Sequence, residues 1–220
     1  MIPPLSLYGE ELMLASDPAH TAGSMRLRFR DGTIVPLPLE RYLDQSDATE
    51  QQLLLGLRGP VLDAGCGPGR HLHALASLAE FALGVDLSAV AVELATGRGA
   101  NAIVGSIFDE LPGTGTWRSA LLLDGNIGIG GRPDRLLRRI GTLLRDDGEL
   151  LVELDDPLAT TGSTLARIES DRGVSSWFPW ARVSIRDLEP VARSGGFGAS
   201  RSWSLGGRWF ASLRQATARR

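Results

Sequence analysis

Asp63, Gly65, Gly67 and Gly69 fall within the ten residues V-L-D-A-G-C-G-P-G-R, 61–70. Asp86 follows about twenty residues later, the distance at which an acidic residue meets a ribose in nucleotide-binding α/β units. Alternating glycines let a loop run at positive φ and bring backbone against a ligand that a Cβ would exclude. A carboxylate two residues before the first glycine repels a pyrophosphate but suits a ligand carrying an ammonium group. Asp86 ends an apolar run, where it can accept hydrogen bonds from both ribose hydroxyls. The residue types describe a cradle for a nucleoside-like ligand with a cationic end. Their spacing departs from G-x-G-x-x-G, whose third glycine serves helix-on-strand packing in dinucleotide-binding folds.

Such a cradle needs a strand before the loop, a helix after it and a second strand ending at Asp86. G-P-V-L-D-A-G reads as the first strand, R-H-L-H-A-L-A-S-L-A-E as the helix, and F-A-L-G-V-D-L-S as the second strand, with Ser88 capping A-V-A-V-E-L-A-T. N-A-I-V-G-S-I, S-A-L-L-L-D-G-N and D-G-E-L-L-V-E-L-D-D-P read as further strands. P-D-R-L-L-R-R-I-G-T-L-L-R-D is a helix with Pro133 in its first turn, and I-R-D-L-E-P-V-A-R-S-G-G a helix ending at glycines. S-R-S-W-S-L and R-W-F-A-S-L-R-Q form a closing hairpin about Gly206-Gly207. Near-continuous apolar strands alternating with helices predict an α/β fold with a parallel sheet covered on both faces, plus an antiparallel strand from the hairpin. Ahead of this, L-S-L-Y-G-E-E-L-M-L-A reads as a helix, and M-R-L-R-F-R-D-G-T-I-V-P-L-P-L as a hairpin about Asp31-Gly32. Asp47-Ala-Thr-Glu50 reads as a capping box. The expected organisation is a helix-and-hairpin lid or extension over 1–50 and a ligand-binding domain over 51–220. Residues 157–181 show no element and read as a long loop.

V-L-D-A-G-C-G-P-G-R and L-G-V-D-L-S, followed by I-V-G-S-I-F-D-E-L-P, L-L-L-D-G-N-I-G and L-R-D-D-G-E-L-L-V-E-L, resemble the motifs of class I S-adenosylmethionine-dependent methyltransferases, over about residues 55–155. The resemblance implies a Rossmann-like seven-stranded, mostly parallel sheet with an antiparallel C-terminal hairpin strand. It implies S-adenosyl-L-methionine as cofactor and S-adenosyl-L-homocysteine as product. Asp63 would face the methionyl ammonium, and Gly65, Cys66, Gly67 and Gly69 would form the loop around the methionyl and ribose portions. Asp86 would hold the ribose, Leu87 would pack on adenine, and Asp124 would lie near the transferred methyl. Ser106 stands where many members carry an acidic residue for the adenine amino group, which makes the Ile107 N–H the expected anchor.

The acceptor side is less defined. D-G-N-I-G-I-G-G, 124–131, is either a tight turn into the next helix or a place where Asn126 or Asp124 orients an acceptor. It lacks the proline pair and aromatic of N-P-P-Y-type motifs, so no nucleic-acid or glutamine substrate follows from it. Trp177, Phe178 and Trp180 in W-F-P-W-A-R are either acceptor-pocket walls or packing, and Tyr8 and Arg41-Tyr42 are candidates of the same kind. Asp124 and Asp155 are the candidate bases if the acceptor is a hydroxyl; an amine that is neutral when it reacts needs none. Cys66 reads as a small packed residue. His71 reads as structural or as a ligand contact.

With 26 acidic and 23 basic residues the net charge is −3, so no basic excess points to nucleic acid. All the basic residues are arginine; a coding bias accounts for that, but it matters where carboxylates or phosphates are gripped bidentately. A single cysteine excludes an internal disulfide, and three scattered histidines give no expected metal site. The start lacks a leader pattern, and no apolar run reaches about 18 residues, so a cytoplasmic protein without membrane contact is expected. The expected function is methyl transfer from S-adenosylmethionine to a small-molecule acceptor by in-line displacement. The alternative is a protein of this fold that binds the cofactor without turnover and acts as an interaction partner. A nicotinamide-dependent reductase is disfavoured by the glycine spacing and by the lack of any lysine for a Tyr–Lys pair. Oligomeric state stays open.

Overall fold

A computed structural model describes residues 1–20, 23–78 and 80–216. The chain opens with helix α1 (Pro4–Ser16), the hairpin β1 (Met25–Phe29) and β2 (Ile34–Pro36), and the short helices α2 (Leu39–Leu43) and α3 (Ala48–Leu54). An alternating region follows: β3 (Val61–Ala64), α4 (Arg70–Ser77), β4 (Ala82–Asp86), α5 (Ala89–Gly97), β5 (Ala102–Val104), β6 (Trp117–Leu122), α6 (Pro133–Leu143) and β7 (Leu144–Leu154). Then come β8 (Gly162–Ser170), β9 (Gly173–Val174), β10 (Phe178–Arg182), α7 (Leu188–Ser194) and the hairpin β11 (Phe197–Leu205) and β12 (Arg208–Gln215).

The main sheet has seven strands in the order β11-β12-β7-β6-β3-β4-β5. β4, β3, β6 and β7 pair in parallel with their neighbours, and β12 inserts antiparallel beside β7. All four residues of β3 are buried, as a strand covered on both faces requires. α6 shows the matching helical pattern, burying Leu136, Leu137, Ile140 and Leu143 along one stripe. From β3 the chain first moves outward to β4 and β5, then returns to β6 on β3's other side. The carboxyl ends at this reversal form the crevice in which open α/β sheets bind ligands.

The stretch expected as a long loop is instead a second sheet, in the order β10-β8-β1-β2, with β9 paired to β8. β1 of the N-terminal hairpin pairs with β8 in register Leu27↔Ile168, so the N-terminal extension and the post-β7 connection share one layer. Alternation decides its faces: Met25, Phe29, Ala166 and Ile168 are buried. On the other face Arg26, Arg28 and Arg167 converge on Glu169 at 3.1, 2.6 and 2.6 Å. Arg28 lies directly opposite Arg167, a repulsive cross-strand pair that the shared carboxylate offsets. The charged residues in β8 dilute its apolar signal, and its partner β1 is remote in sequence. Among the described residues no helix is long and apolar enough to cross a membrane.

Candidate cofactor and acceptor site

The loop after β3 carries Gly65 and Gly67 at φ 79° and 53°. A Cβ on Gly65 would stand 2.6 Å from Asn126 Nδ2, so conformation and space both demand glycine there. The Gly65 N–H donates to Val85 O at 2.8 Å, and the Gly67 N–H to Asp86 Oδ2 at 2.9 Å. Asp86 Oδ1 accepts from the Ser88 N–H at 2.8 Å. Backbone donors thus fix both carboxylate oxygens, and the side chain still lines a cavity of about 550 Å³. Burial raises the Asp86 pKa above the ordinary carboxylate range, and the backbone N–H groups of Ser88 and Gly67 only partly counter it.

At one end of the cavity Gly65, Cys66, Gly67, Asp86, Leu87, Ser106, Ile107, Phe108 and Ile129 line the wall. At the other end α1 and the small sheet supply Tyr8, Leu27, Ile168, Phe178 and Trp180, joined by Leu37 and Tyr42. Phe178 and Trp180 meet edge to face, ring centres 6.0 Å apart. The segment Asn126–Gly131, one 3-10 stretch with a kink, is where the two layers meet. A Cβ on Gly128 would stand 2.3 Å from Ala181 O and 2.4 Å from Trp180 Nε1. These glycines therefore let β10 lie against the segment. Asn126 Nδ2 donates to Ala64 O and Gly65 O at 3.0 and 2.9 Å, bracing the glycine loop while the residue lines the cavity.

Beneath the cavity's acceptor end lies a cluster of charges. Glu50, completely buried, is the glutamate of the expected capping box, which forms. Its carboxylate also accepts from Arg41 Nη2 at 2.5 Å, Arg70 Nε and Nη2 at 3.1 and 2.8 Å, and Arg208 Nη1 at 3.0 Å. Asp124 accepts from Arg70 Nη2 at 2.6 Å and Arg208 Nη2 at 3.4 Å, and Glu153 Oε2 accepts from Arg208 Nη2 at 2.6 Å. Three guanidinium groups thus balance three carboxylates, drawn from α2, α3, α4, β7, β12 and the turn just beyond β6. Asp124 adopts φ 55°, the single non-glycine residue at positive φ among those described. Its N–H donates to Glu153 Oε2 at 2.7 Å, which holds it there. Burial opposes charge on Glu50, but His71 and Arg70 hold its carboxyl well below the ordinary range.

His71 sits between two carboxylates, with Nδ1 3.6 Å from Asp63 Oδ2 and Nε2 3.6 Å from Glu50 Oε1. Burial disfavours the imidazolium, yet Asp63 and Glu50 push its pKa up to about 9. Burial, with Asp63 and Asp86 nearby, pushes the Cys66 thiol far up, as befits a packed side chain.

Of the residues predicted from sequence, Gly65, Cys66, Gly67, Asp86, Leu87, Ser106, Ile107, Asp124, Tyr8, Asn126, Phe178 and Trp180 surround this one cavity. Asp63 is buried behind the loop against His71. A Cβ on Gly69 would stand 2.8 Å from Ala95 Cβ, so this glycine serves the contact between α4 and α5. Ser106 Oγ accepts from the Phe108 N–H at 3.1 Å. Trp177 lies outside the cavity, stacked with Arg167 at 4.8 Å on the small sheet's outer face. Asp155 also lies outside it, paired with Arg182 at 3.1 and 3.2 Å. Glu50, Arg70, Glu153 and Arg208 were not singled out as site residues by sequence reasoning. The only sequence signal near them was the capping box and the Arg following the glycine loop.

Residues 61–148 match the family model described as a methyltransferase domain. The whole chain has the Rossmann-like α/β fold of solved S-adenosylmethionine-dependent methyltransferases. A Bacteroides fragilis S-adenosylmethionine-dependent methyltransferase, solved with S-adenosyl-L-homocysteine, superimposes with TM-score 0.78 at 24% identity, over 97% of this chain and 94% of that one. The methyltransferase CcbJ of Streptomyces caelestis gives TM-score 0.61 at 17% identity, over 80% and 92%. The 1,6-didemethyltoxoflavin-N1-methyltransferase of Burkholderia thailandensis gives 0.56 at 20%, over 77% of each chain. No curated protein matches the chain in sequence.

Proposed function

We propose that the protein transfers a methyl group from S-adenosyl-L-methionine to a small-molecule acceptor. The observation that carries this reading is one continuous cavity, with a glycine loop and a backbone-fixed carboxylate at one end and an apolar, aromatic chamber at the other. The residues fit the cofactor: Gly67 leaves room for its chain beside a loop that Gly65 and Asn126 fix, Asp86 can accept from ribose hydroxyls, and Leu87, Ile107 and Phe108 offer apolar surface for adenine. When bound, S-adenosylmethionine supplies a sulfonium-activated methyl open to in-line displacement. The protein's part is to align the acceptor and keep water away. α1 and the small sheet supply that enclosure, and Phe178, Trp180, Tyr8 and Tyr42 suit an acceptor with a flat apolar part.

Asp124 is the carboxylate on the acceptor side of the cavity, and Arg70 and Arg208 already engage both its oxygens. Taking a proton would cost Asp124 these ion pairs, so the arrangement favours an acceptor that is neutral when it reacts, such as an amine, which needs no base from the protein. Asp155, paired with Arg182, has no part in the step. Calorimetry gives the first test: micromolar binding of S-adenosylhomocysteine without binding of NADH is expected, and the reverse would overturn the reading. Labelled S-adenosylmethionine with a host metabolite extract then gives the second. Cofactor binding without methyl incorporation into any metabolite would favour the non-catalytic alternative.

A further inference from the structure

The outer face of the small sheet holds more positive charge than it balances. Strand alternation sends Arg26 and Arg28 of β1, and Arg167 and Glu169 of β8, to that face. Glu169 is 6% exposed, and its carboxylate accepts from Arg28 Nε at 2.6 Å, Arg26 Nε at 3.1 Å, and Arg167 Nε and Nη2 at 2.9 and 2.6 Å. These arginines, Arg28 foremost, hold its carboxyl down at about 2, so it stays ionised. Among the described residues none of the three pairs with a second carboxylate. Asp171, just past β8, is taken up by the Ser24 N–H and hydroxyl. Three guanidinium groups thus share one carboxylate, an excess of two positive charges. Both Nη atoms of Arg26 and of Arg28, and Nη1 of Arg167, have no hydrogen-bond partner among the described residues, and all three side chains reach solvent. The Trp177 ring, itself partly exposed, stacks on the Arg167 guanidinium at 4.8 Å and fixes its plane.

We propose that Arg26, Arg28 and Arg167, set around Glu169, form a binding site for a phosphoryl anion on the outer face of the small sheet. Arg28 lies opposite Arg167, at a backbone separation of about 5 Å, and Arg26 is two residues along the strand, about 7 Å away. Donors gathered over so small an area suit a compact oxyanion rather than an extended acidic peptide. A phosphate monoester carries about −1.5 to −2 at pH 7, which cancels the excess, and guanidinium edges match its oxygens. Glu169 orients the three donors before the anion arrives. The site stands apart from the cavity and from whatever fills it. The same two strands nevertheless turn Leu27 and Ile168 inward to line that cavity, so the anion would sit on the back of its wall.

Calorimetry on the full chain, in metal-free buffer of low ionic strength, tests this with inorganic pyrophosphate and phenyl phosphate. Arg28→Gln and Arg167→Gln should each weaken binding by about three- to tenfold, as partly exposed charges do, and the double variant by about ten- to a hundredfold. Both changes relieve the Arg28–Arg167 repulsion and leave Arg26 on Glu169, so thermal unfolding should report an intact fold. Arg26→Gln carries the test if either variant fails to fold. Arg193→Gln, exposed on α7, should bind as wild type does. The two probes separate the sources of the group. Phenyl phosphate binding more tightly than pyrophosphate, with the advantage lost in Trp177→Leu, assigns the site to an organic phosphate; pyrophosphate binding at least as tightly assigns it to the free anion. Failure of the wild type to bind either probe overturns the proposal. So does unchanged binding in the double variant, or an equal loss in Arg193→Gln. A glutamate-rich peptide that binds more tightly than pyrophosphate, and is lost in the same variants, would make the face a peptide surface and overturn it as well.

Discussion

The His71→Gln variant should lose a pH-dependent part of the protein's stability. Both imidazole nitrogens face a carboxylate at 3.6 Å, and the ring is 5% exposed. Burial lowers the imidazole pKa, but Asp63 and Glu50 outweigh it and bring it up to about 9. In the unfolded chain it reverts to about 6.5. Folding therefore takes up a proton between these values. The stabilisation is complete below about pH 6.5 and drains away as pH rises through 9. At 1.36 kcal/mol per pH unit, the displacement corresponds to roughly 3 kcal/mol. Urea unfolding of wild type and variant from about pH 6 to 10 measures it. The variant should be less stable at the acid end by about this amount, and the gap should close toward pH 10. Taking the difference removes the contribution of Cys66, whose buried thiol also weakens folding once pH passes its ordinary value near 8.5. A gap that does not change with pH would refute a buried imidazolium, and so would a wild-type imidazole that titrates near 6.5 by NMR.

Glu50→Gln leaves Arg41, Arg70, Arg208 and His71 without their shared carboxylate, and denaturant unfolding should show a loss of about 3–5 kcal/mol; a loss below about 1 kcal/mol would mean that solvent reaches the cluster. Gly128→Ala sets a methyl 2.3 Å from a backbone carbonyl of β10, so stability should fall by about 1–3 kcal/mol, with faster hydrogen exchange in β10; an unchanged melting temperature would contradict the contact. Asp86→Ala should weaken S-adenosylhomocysteine about ten- to a hundredfold. The wild-type affinity should fall as pH drops through the burial-raised range of Asp86, because the ionised carboxylate accepts the ribose bonds. An affinity with the same pH dependence in the Ala variant would point to another group.

The glycine-loop end of the cavity was legible because its determinants are local. Gly65, Gly67 and Asp86 are fixed by a strand, a turn and a second strand that follow one another, and each strand carries its own apolar signature. The roof was not. β8 reads L-A-R-I-E-S, apolar on one face only, and the residues that complete it sit in β1, paired at Leu27↔Ile168. Nothing near residues 162–170 announces that partner, so the stretch passed for a loop. D-G-N-I-G-I-G-G was open to two readings for a related reason. Gly128 and Gly131 are required by Pro179, Trp180 and Ala181, whose approach belongs to the tertiary fold.

The charge cluster was hidden in a different way, because a sufficient local explanation already existed. Glu50 satisfies the capping box with Asp47, and nothing in D-A-T-E asks for more. Its second use depends on Arg208, 158 residues away, and on Arg70. Those two side chains also give the absence of lysine a meaning that composition alone did not. Arg208 reaches Glu50 with Nη1, Glu153 with Nε and Nη2, and Asp124 with Nη2. Arg70 holds Glu50 with Nε and Nη2 and touches Asp124, while its Nη1 has no partner among the described residues. A lysine ammonium is a point charge on a flexible stem and cannot hold separate carboxylates along the edges of one rigid plane. Lysine at position 70 could keep the charge balance, but the planar grip on Glu50 and Asp124 would go. Whatever set the arginine-only composition of the chain, at these two positions the guanidinium shape is what ties the N-terminal extension, the glycine-loop helix and the C-terminal hairpin to one site.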